Sequence, residues 1–185
     1  VKNQFYEKGK LLTTEYLDRT IKTNDSLIEV LNLIDKEFAQ HNNSLTDSIN
    51  ANLKKSFKKQ LFEKQLYFLD SLSFDKITHI IDVFGYPSRA IAGESNNIPF
   101  YILSFAPINV KEKYLNELIL AADRDFISWK SLAYFIDKLK IAKGEKQVYG
   151  TQGNYDKDYH FILYPCIDPD NLNVRRAKVG LEKLE

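Results

Sequence analysis

A change of hydrophobic period at Gly144 limits the folds open to this chain more than any other feature. Before it, apolar residues recur every three or four positions; after it they alternate. The first spacing puts apolar side chains on one face of a helix and the second on one face of a strand. The expected fold class is therefore mainly α (α+β): a multi-helix domain with a small C-terminal antiparallel β element. Strands are expected only after Gly144, with residues 100–104 the one other candidate.

Five helical stretches carry the first period. Leu27, Val30, Leu31, Ile34 and Phe38 form one stripe, with Asp25 or Ser26 as N-cap and "QHNNS" as the break. A second helix starts near Thr46, with Leu45, Ile49, Leu53, Phe57 and Leu61 in line. "SFDKITHIIDVFGYP" reads as a third, opened by Ser73, closed by Gly85 and stopped by Pro87. Asn109 caps a fourth, whose inner face is Val110, Tyr114, Leu115, Leu118 and Ile119. The fifth buries Trp129, Leu132, Ala133, Ile136 and Leu139, with Trp129 as a core anchor, and ends at Gly144. "SNNIPFYILSFAP" is a short buried element, helix or strand. Residues 1–24 are read as a short helix or arm.

Beyond Gly144, "KQVYG" and "YHFILYP" are read as two strands joined by the polar loop "GTQGNYDKD". A last helix has Asp168 as cap, Pro169 at its first position and Gly180 at its close. No repeat and no Gly/Ser linker divides the chain, so residues 1–185 are expected to form a single domain.

Charge narrows the partners. Lys and Arg total 26 against 25 Asp and Glu, so the overall field is too weak to recruit nucleic acid, and the run Lys54, Lys55, Lys58, Lys59 and Lys64 reads as a solvated helix face. No apolar run approaches the ~20 residues of a membrane span. Cys166 is the only cysteine, which leaves no intrachain disulfide and no thiolate cluster. The chain has no Met and begins at Val1, so either the initiator was trimmed or an upstream segment preceded it. Export after signal removal and a cytoplasmic location both stay open.

The chain lacks a nucleophile elbow, a phosphate-binding loop, an H-E-x-x-H motif, a Rossmann fingerprint and a kinase signature. Asp75, His79 and Asp82 have the i, i+4, i+7 spacing that can converge on a metal. They lie opposite Ile77, Ile80, Ile81 and Phe84, which puts them in water, and neither a metal nor a cofactor is expected. The remaining chemistry is a C-terminal polar set: Asp137, Gln147, Tyr149, Thr151, Gln152, His160, Arg175 and Arg176. Arginine offers a planar donor fork to carboxylate or phosphate, Gln and Thr add neutral hydrogen bonds, and Tyr149 offers a flat apolar face. His160, placed on a strand with Ile162 and Tyr164, is expected to be half-buried.

"LAYFIDKLKIAKGEKQVYGTQ", "DPDNLNVRRAKVGL" and, more faintly, "FGYPSRAIAG" resemble a bacterial family of domains of unknown function. Its members share a YGTQ motif followed by a paired-arginine helix ending in Gly-Leu. The likeness covers residues 74–185 and rests on Gln147, Tyr149 to Gln152, Asp168, Arg175, Arg176, Gly180 and Leu181. Family members carry Gln-His where this chain has "LSFAP" (103–107), and Asp-Arg where it has Asp137-Lys138; a catalytic Gln-His pair would leave this protein inactive. The resemblance implies no reaction, substrate or cofactor.

Two functions fit these residues. The first is a non-enzymatic binding or protein-interaction module, with Gln147, Tyr149, Thr151, Gln152, Arg175 and Arg176 meeting an anionic small molecule or a protein partner. In it, Asp137 pairs with one arginine and leaves the other free. The second is a hydrolase-like enzyme with His160 as general base and Asp137 as its partner.

Overall fold

A computed structural model describes residues 4–7, 10–13, 23–50 and 57–184, with side chains described for 23–41, 43 and 71–184. The described chain is mainly helical and divides into two compact units, 1–106 and 107–185. No helix among the described residues is long and apolar enough to cross a membrane.

In the first unit, β1 (Gln4–Glu7) and β2 (Lys10–Thr13) pair antiparallel, with Phe5 opposite Leu12. This corrects the restriction of strands to the region after Gly144 and, for residues 4–7 and 10–13, the helical option of the helix-or-arm reading. Two short runs, "QFYE" and "KLLT", two residues apart with Gly9 between them, fit a hairpin, but neither alternates apolar with polar, so the pattern that marks a strand is missing.

Helix α1 spans Asn24–Asn50. Its cap is Thr23, not Asp25 or Ser26. The Thr23 hydroxyl accepts from the N–H of Ser26 at 3.2 Å, and the Ser26 hydroxyl accepts from the N–H of Thr23 at 3.0 Å. This reciprocal box satisfies two donors that a helix start leaves orphaned. The helix runs through "QHNNS" and Thr46, because the propensity penalty of two asparagines is too small to break a helix by itself.

Helix α2 (Phe57–Phe84) is continuous through Ser73, which is a buried interior residue rather than a cap. Gly85 does close it, at φ +75 with its N–H on the Ile81 carbonyl at 2.9 Å. The lysine run 54–64 lies where side chains are outside the described residues.

Leu27, Val30, Leu31, Ile34 and Phe38 are buried as their period requires, together with Phe74, Ile77, Ile80 and Ile81 of α2. Each such side chain stabilises the unit by roughly 1.5–3 kcal/mol. Lys76, only 2 % exposed, is neutralised by the carboxylate of Glu37 on α1. A short helix, α3 (Arg89–Ala92), precedes the stretch left open as helix or strand, which is helical: a 3-10 turn (Gly93–Asn97) leads into α4 (Ile98–Leu103). The Phe38 ring lies 6.0 Å from Tyr101 and 5.6 Å from Phe105, which holds this segment against α1.

The second unit is built on α5 (Ile108–Asp123) and α6 (Trp129–Ala142). Asn109 does not cap α5, since Pro107 precedes the first helical residue and no side chain closes that end. Tyr114 and Leu118 of α5 and Leu132, Ala133, Phe135 and Leu139 of α6 are buried. Strands β3 (Gly153–Tyr155) and β4 (Phe161–Leu163) pair antiparallel, with Asn154 opposite Ile162. A 3-10 turn (Pro169–Asn171) leads into α7 (Leu172–Lys178), and Gly180 follows at φ +73.

The small sheet is where sequence placed it, but its first strand is not "KQVYG". Gln147 makes only an isolated parallel bridge to Cys166, and β3 falls inside the expected loop. Val148 and Tyr149 turn their backbone toward a buried carboxylate instead of toward another strand.

Candidate functional site

Asp137 sits one turn beyond Ala133 on α6 and is fully buried. Burying a carboxylate is unfavourable unless it is neutralised or well hydrogen-bonded, and here the solution is a loop wrapped around it. Oδ1 accepts the N–H groups of Val148 at 2.7 Å and Tyr149 at 3.0 Å. Oδ2 accepts the N–H of Thr151 at 2.9 Å and its hydroxyl at 3.0 Å.

Gln147, also fully buried, holds the next part of the loop. Its amide nitrogen donates to the carbonyls of Gln152 at 2.8 Å and Tyr164 at 2.7 Å, and its amide oxygen accepts the N–H of Gln152 at 2.9 Å. Its own backbone N–H meets the Pro165 carbonyl at 3.0 Å, and its carbonyl accepts from Ile167 at 2.9 Å.

The arginines take the loop's carbonyls. Arg176 Nη1 donates to Tyr149 at 2.7 Å and Gly150 at 3.0 Å, and its Nε donates to Glu182 at 2.6 Å. Arg175 Nε donates to Val148 at 2.9 Å; its Nη1 and Nη2 both reach the Asp168 carbonyl at 3.0 Å, and Nη2 also reaches Ile167. The expected ion pair between Asp137 and an arginine is therefore not formed. Peptide N–H groups are the donors Asp137 needs and peptide carbonyls the acceptors the arginines need, so the loop satisfies both charges at once.

Asp168 supports this arrangement. At φ +39 it takes a left-handed turn, and its carboxylate accepts from Asn171 at 2.9 Å. It makes no side-chain cap to the backbone of the following turn.

The other expected site residues are placed as follows. Tyr149 is half-buried and packs, with Trp129, against Ala133, Val179 and Leu181. Burial, and then the Asp137 charge, push its phenol pKa up, with Arg175 opposing. Gln152 is half-buried and donates to the Thr151 hydroxyl at 3.0 Å. The structure thus brings Asp137, Gln147, Tyr149, Thr151, Gln152, Arg175 and Arg176 into one network.

His160 is elsewhere. Its side chain is 75 % exposed, and its Nδ1 lies 3.2 Å from Asp156 Oδ2. The half-buried position expected of it fails because β4 begins one residue later. Tyr159 at φ +63 and the bond from the His160 N–H to Asp156 Oδ1 at 2.9 Å hold residues 156–160 in a tight loop. On α2, Asp75 and His79 are half-buried and Asp82 is exposed, so only Asp82 is fully in water. Burial raises the Asp75 carboxyl pKa.

Sequence reasoning found the hairpin but missed the apolar side chains it exposes. Tyr155 is 64 % exposed, Tyr159 86 %, Phe161 46 % and Ile162 53 %. The alternation in "YHFILYP" carried the signal, but it was read as one buried face rather than as a short strand with apolar side chains on its open side.

The model of a family described as a family of unknown function, DUF6624, matches residues 61–185. No curated protein and no solved structure matches the chain.

Proposed function

We propose that this chain, which belongs to the family of unknown function DUF6624, is a non-enzymatic protein-interaction module whose contact surface is the β3–β4 hairpin. The observation that carries this reading is the exposure of Tyr155, Tyr159, Phe161 and Ile162, four large apolar side chains within eight residues. Large apolar groups clustered in water are unfavourable unless a partner covers them. Aromatic side chains supply much of the binding energy at protein interfaces.

The polar network has a defined part in this reading. Asp137, Gln147, Arg175 and Arg176 fix the base from which the hairpin projects, so little order is lost on binding. An arginine left over for an anionic ligand has less support, because the Arg175 guanidinium donates from all three nitrogens to protein oxygens. A hydrolase with His160 as general base and Asp137 as partner is also less supported. The neighbour of the His160 ring is Asp156, and Asp137 is enclosed by loop N–H groups.

Two variants test the module. Tyr159→Ser with Ile162→Thr removes contact area from exposed positions. Gly153→Ala displaces the hairpin itself, since a Cβ there would lie 2.5 Å from the Ile162 carbonyl and 2.6 Å from the Phe161 ring. A photo-crosslinking residue at Tyr155 should capture a defined protein, and both variants should lose it while Tyr134→Ser, on the exposed side of α6, should not. Equal capture by all four proteins would overturn the reading.

A further inference from the structure

The loop that closes the hairpin holds a second chemistry. Asp156, Asp158 and His160 each offer one ligand atom, and these atoms lie within 4.8 Å of one another. Among the described residues this is the one His, Cys, Asp and Glu set so convergent. It is not the helical trio Asp75, His79 and Asp82 that spacing singles out.

We propose that Asp156, Asp158 and His160 form a binding site for a divalent transition cation of the zinc class. The donor set argues for that class. Two carboxylates alone would suit calcium or magnesium, which take oxygen ligands. An imidazole nitrogen converging with them suits zinc, nickel or copper.

The loop is already shaped for this. Asp156 Oδ1 accepts the N–H of Asp158 at 2.8 Å and of His160 at 2.9 Å, which fixes the carboxylate and turns Oδ2 toward the imidazole. The Asp156 N–H and carbonyl close the turn, bonding to the His160 carbonyl at 3.0 Å and the Tyr159 N–H at 3.1 Å. Oδ2 and Nδ1 lie 3.2 Å apart, close enough for one cation to reach both. The Asp158 carboxylate completes a face with three protein ligands. All three residues are exposed, which gives the cation an entry path and leaves its remaining positions to water. The site does not depend on the hairpin's having a protein partner.

Isothermal titration of the chelator-treated full chain with zinc chloride, and separately nickel chloride, tests the site. One equivalent should bind saturably, and the amide resonances of residues 156–160 should shift in a nitrogen-edited NMR spectrum. Asp156 also holds the turn, so the informative variants are His160→Ala and Asp158→Asn, each expected to weaken binding by at least about tenfold. His79→Ala and Cys166→Ser should leave it unchanged. Calcium chloride should bind far more weakly than zinc. Absence of saturable binding, binding indifferent to His160→Ala, or resonance shifts confined to other residues would each overturn the proposal.

Discussion

The backbone N–H of Thr151 meets Asp137 Oδ2 at 2.9 Å, and the hydroxyl of the same threonine meets the same oxygen at 3.0 Å. With Val148 and Tyr149 on the other side of the carboxylate, the loop from 147 to 152 is organised around one buried negative charge.

Asp137→Asn should therefore be among the most destabilising single changes in the second unit. An amide keeps one acceptor and turns an N–H2 toward backbone donors, leaving buried N–H groups unpaired. Each buried N–H left unpaired in this way costs about 1–3 kcal/mol. Thr151→Val keeps the N–H bond, removes the hydroxyl's bonds to Asp137 and from Gln152, and should cost about 1–2 kcal/mol. Urea denaturation followed by the fluorescence of Trp129, whose ring packs in the same unit, reads both. An Asp137→Asn loss no larger than that of Thr151→Val would show that the carboxylate does not organise the loop.

Most of the helical frame was legible because apolar period survives in any context where one face is buried. Tyr114 and Leu118 on α5, and Leu132 and Leu139 on α6, are buried as read. Helix limits were less legible. Ser73 has the chemistry of a cap and sits inside a helix, where it is itself buried beside Phe74 and Ile77 rather than left at an open end. In the candidate site the participants were legible and the pairing was not. Charge suggests that Asp137 should seek an arginine, but peptide groups outnumber side chains and reached both first. The loop partners of His160 were hidden for a different reason. Its tight turn depends on a positive φ at Tyr159, a conformation that tyrosine rarely signals.

Both arginines should prove structural, to different degrees. Arg176 is 6 % exposed and serves three carbonyls, so Arg176→Ala leaves buried acceptors unpaired and should cost about 3 kcal/mol or more. Arg175 keeps about a fifth of its side chain in water, where solvent can replace part of what it donates, and Arg175→Ala should cost about 1–2 kcal/mol. Arg176→Lys should not rescue, since one ammonium cannot span Tyr149, Gly150 and Glu182 as the guanidinium fork does. Denaturation free energies within about 0.5 kcal/mol of the parent for both alanine variants would place them with ordinary surface changes and contradict this account.

The first unit should lose stability as pH falls through the histidine range, and His41 should be the reason. Its Nδ1 is buried without a hydrogen-bond partner, and burial lowers its pKa from the ordinary 6.5. The Glu37 charge opposes that shift and the Lys76 charge adds to it. Because the folded pKa lies below the unfolded one, the unfolded chain takes up the proton first, so the neutral form's contribution is intact above about pH 6.5 and is lost as pH falls toward the folded value. Asp75 acts in the opposite sense. Its raised carboxyl pKa means the folded state gains a proton first, which adds stability at more acidic pH, around and below the ordinary carboxylate range. The two windows are separable. Melting temperatures measured between pH 7.5 and 5 in fixed ionic strength should fall for the parent chain and stay flatter for His41→Gln, which cannot be protonated. His79→Gln provides the control, and an unchanged slope in His41→Gln would assign the acid sensitivity to another group.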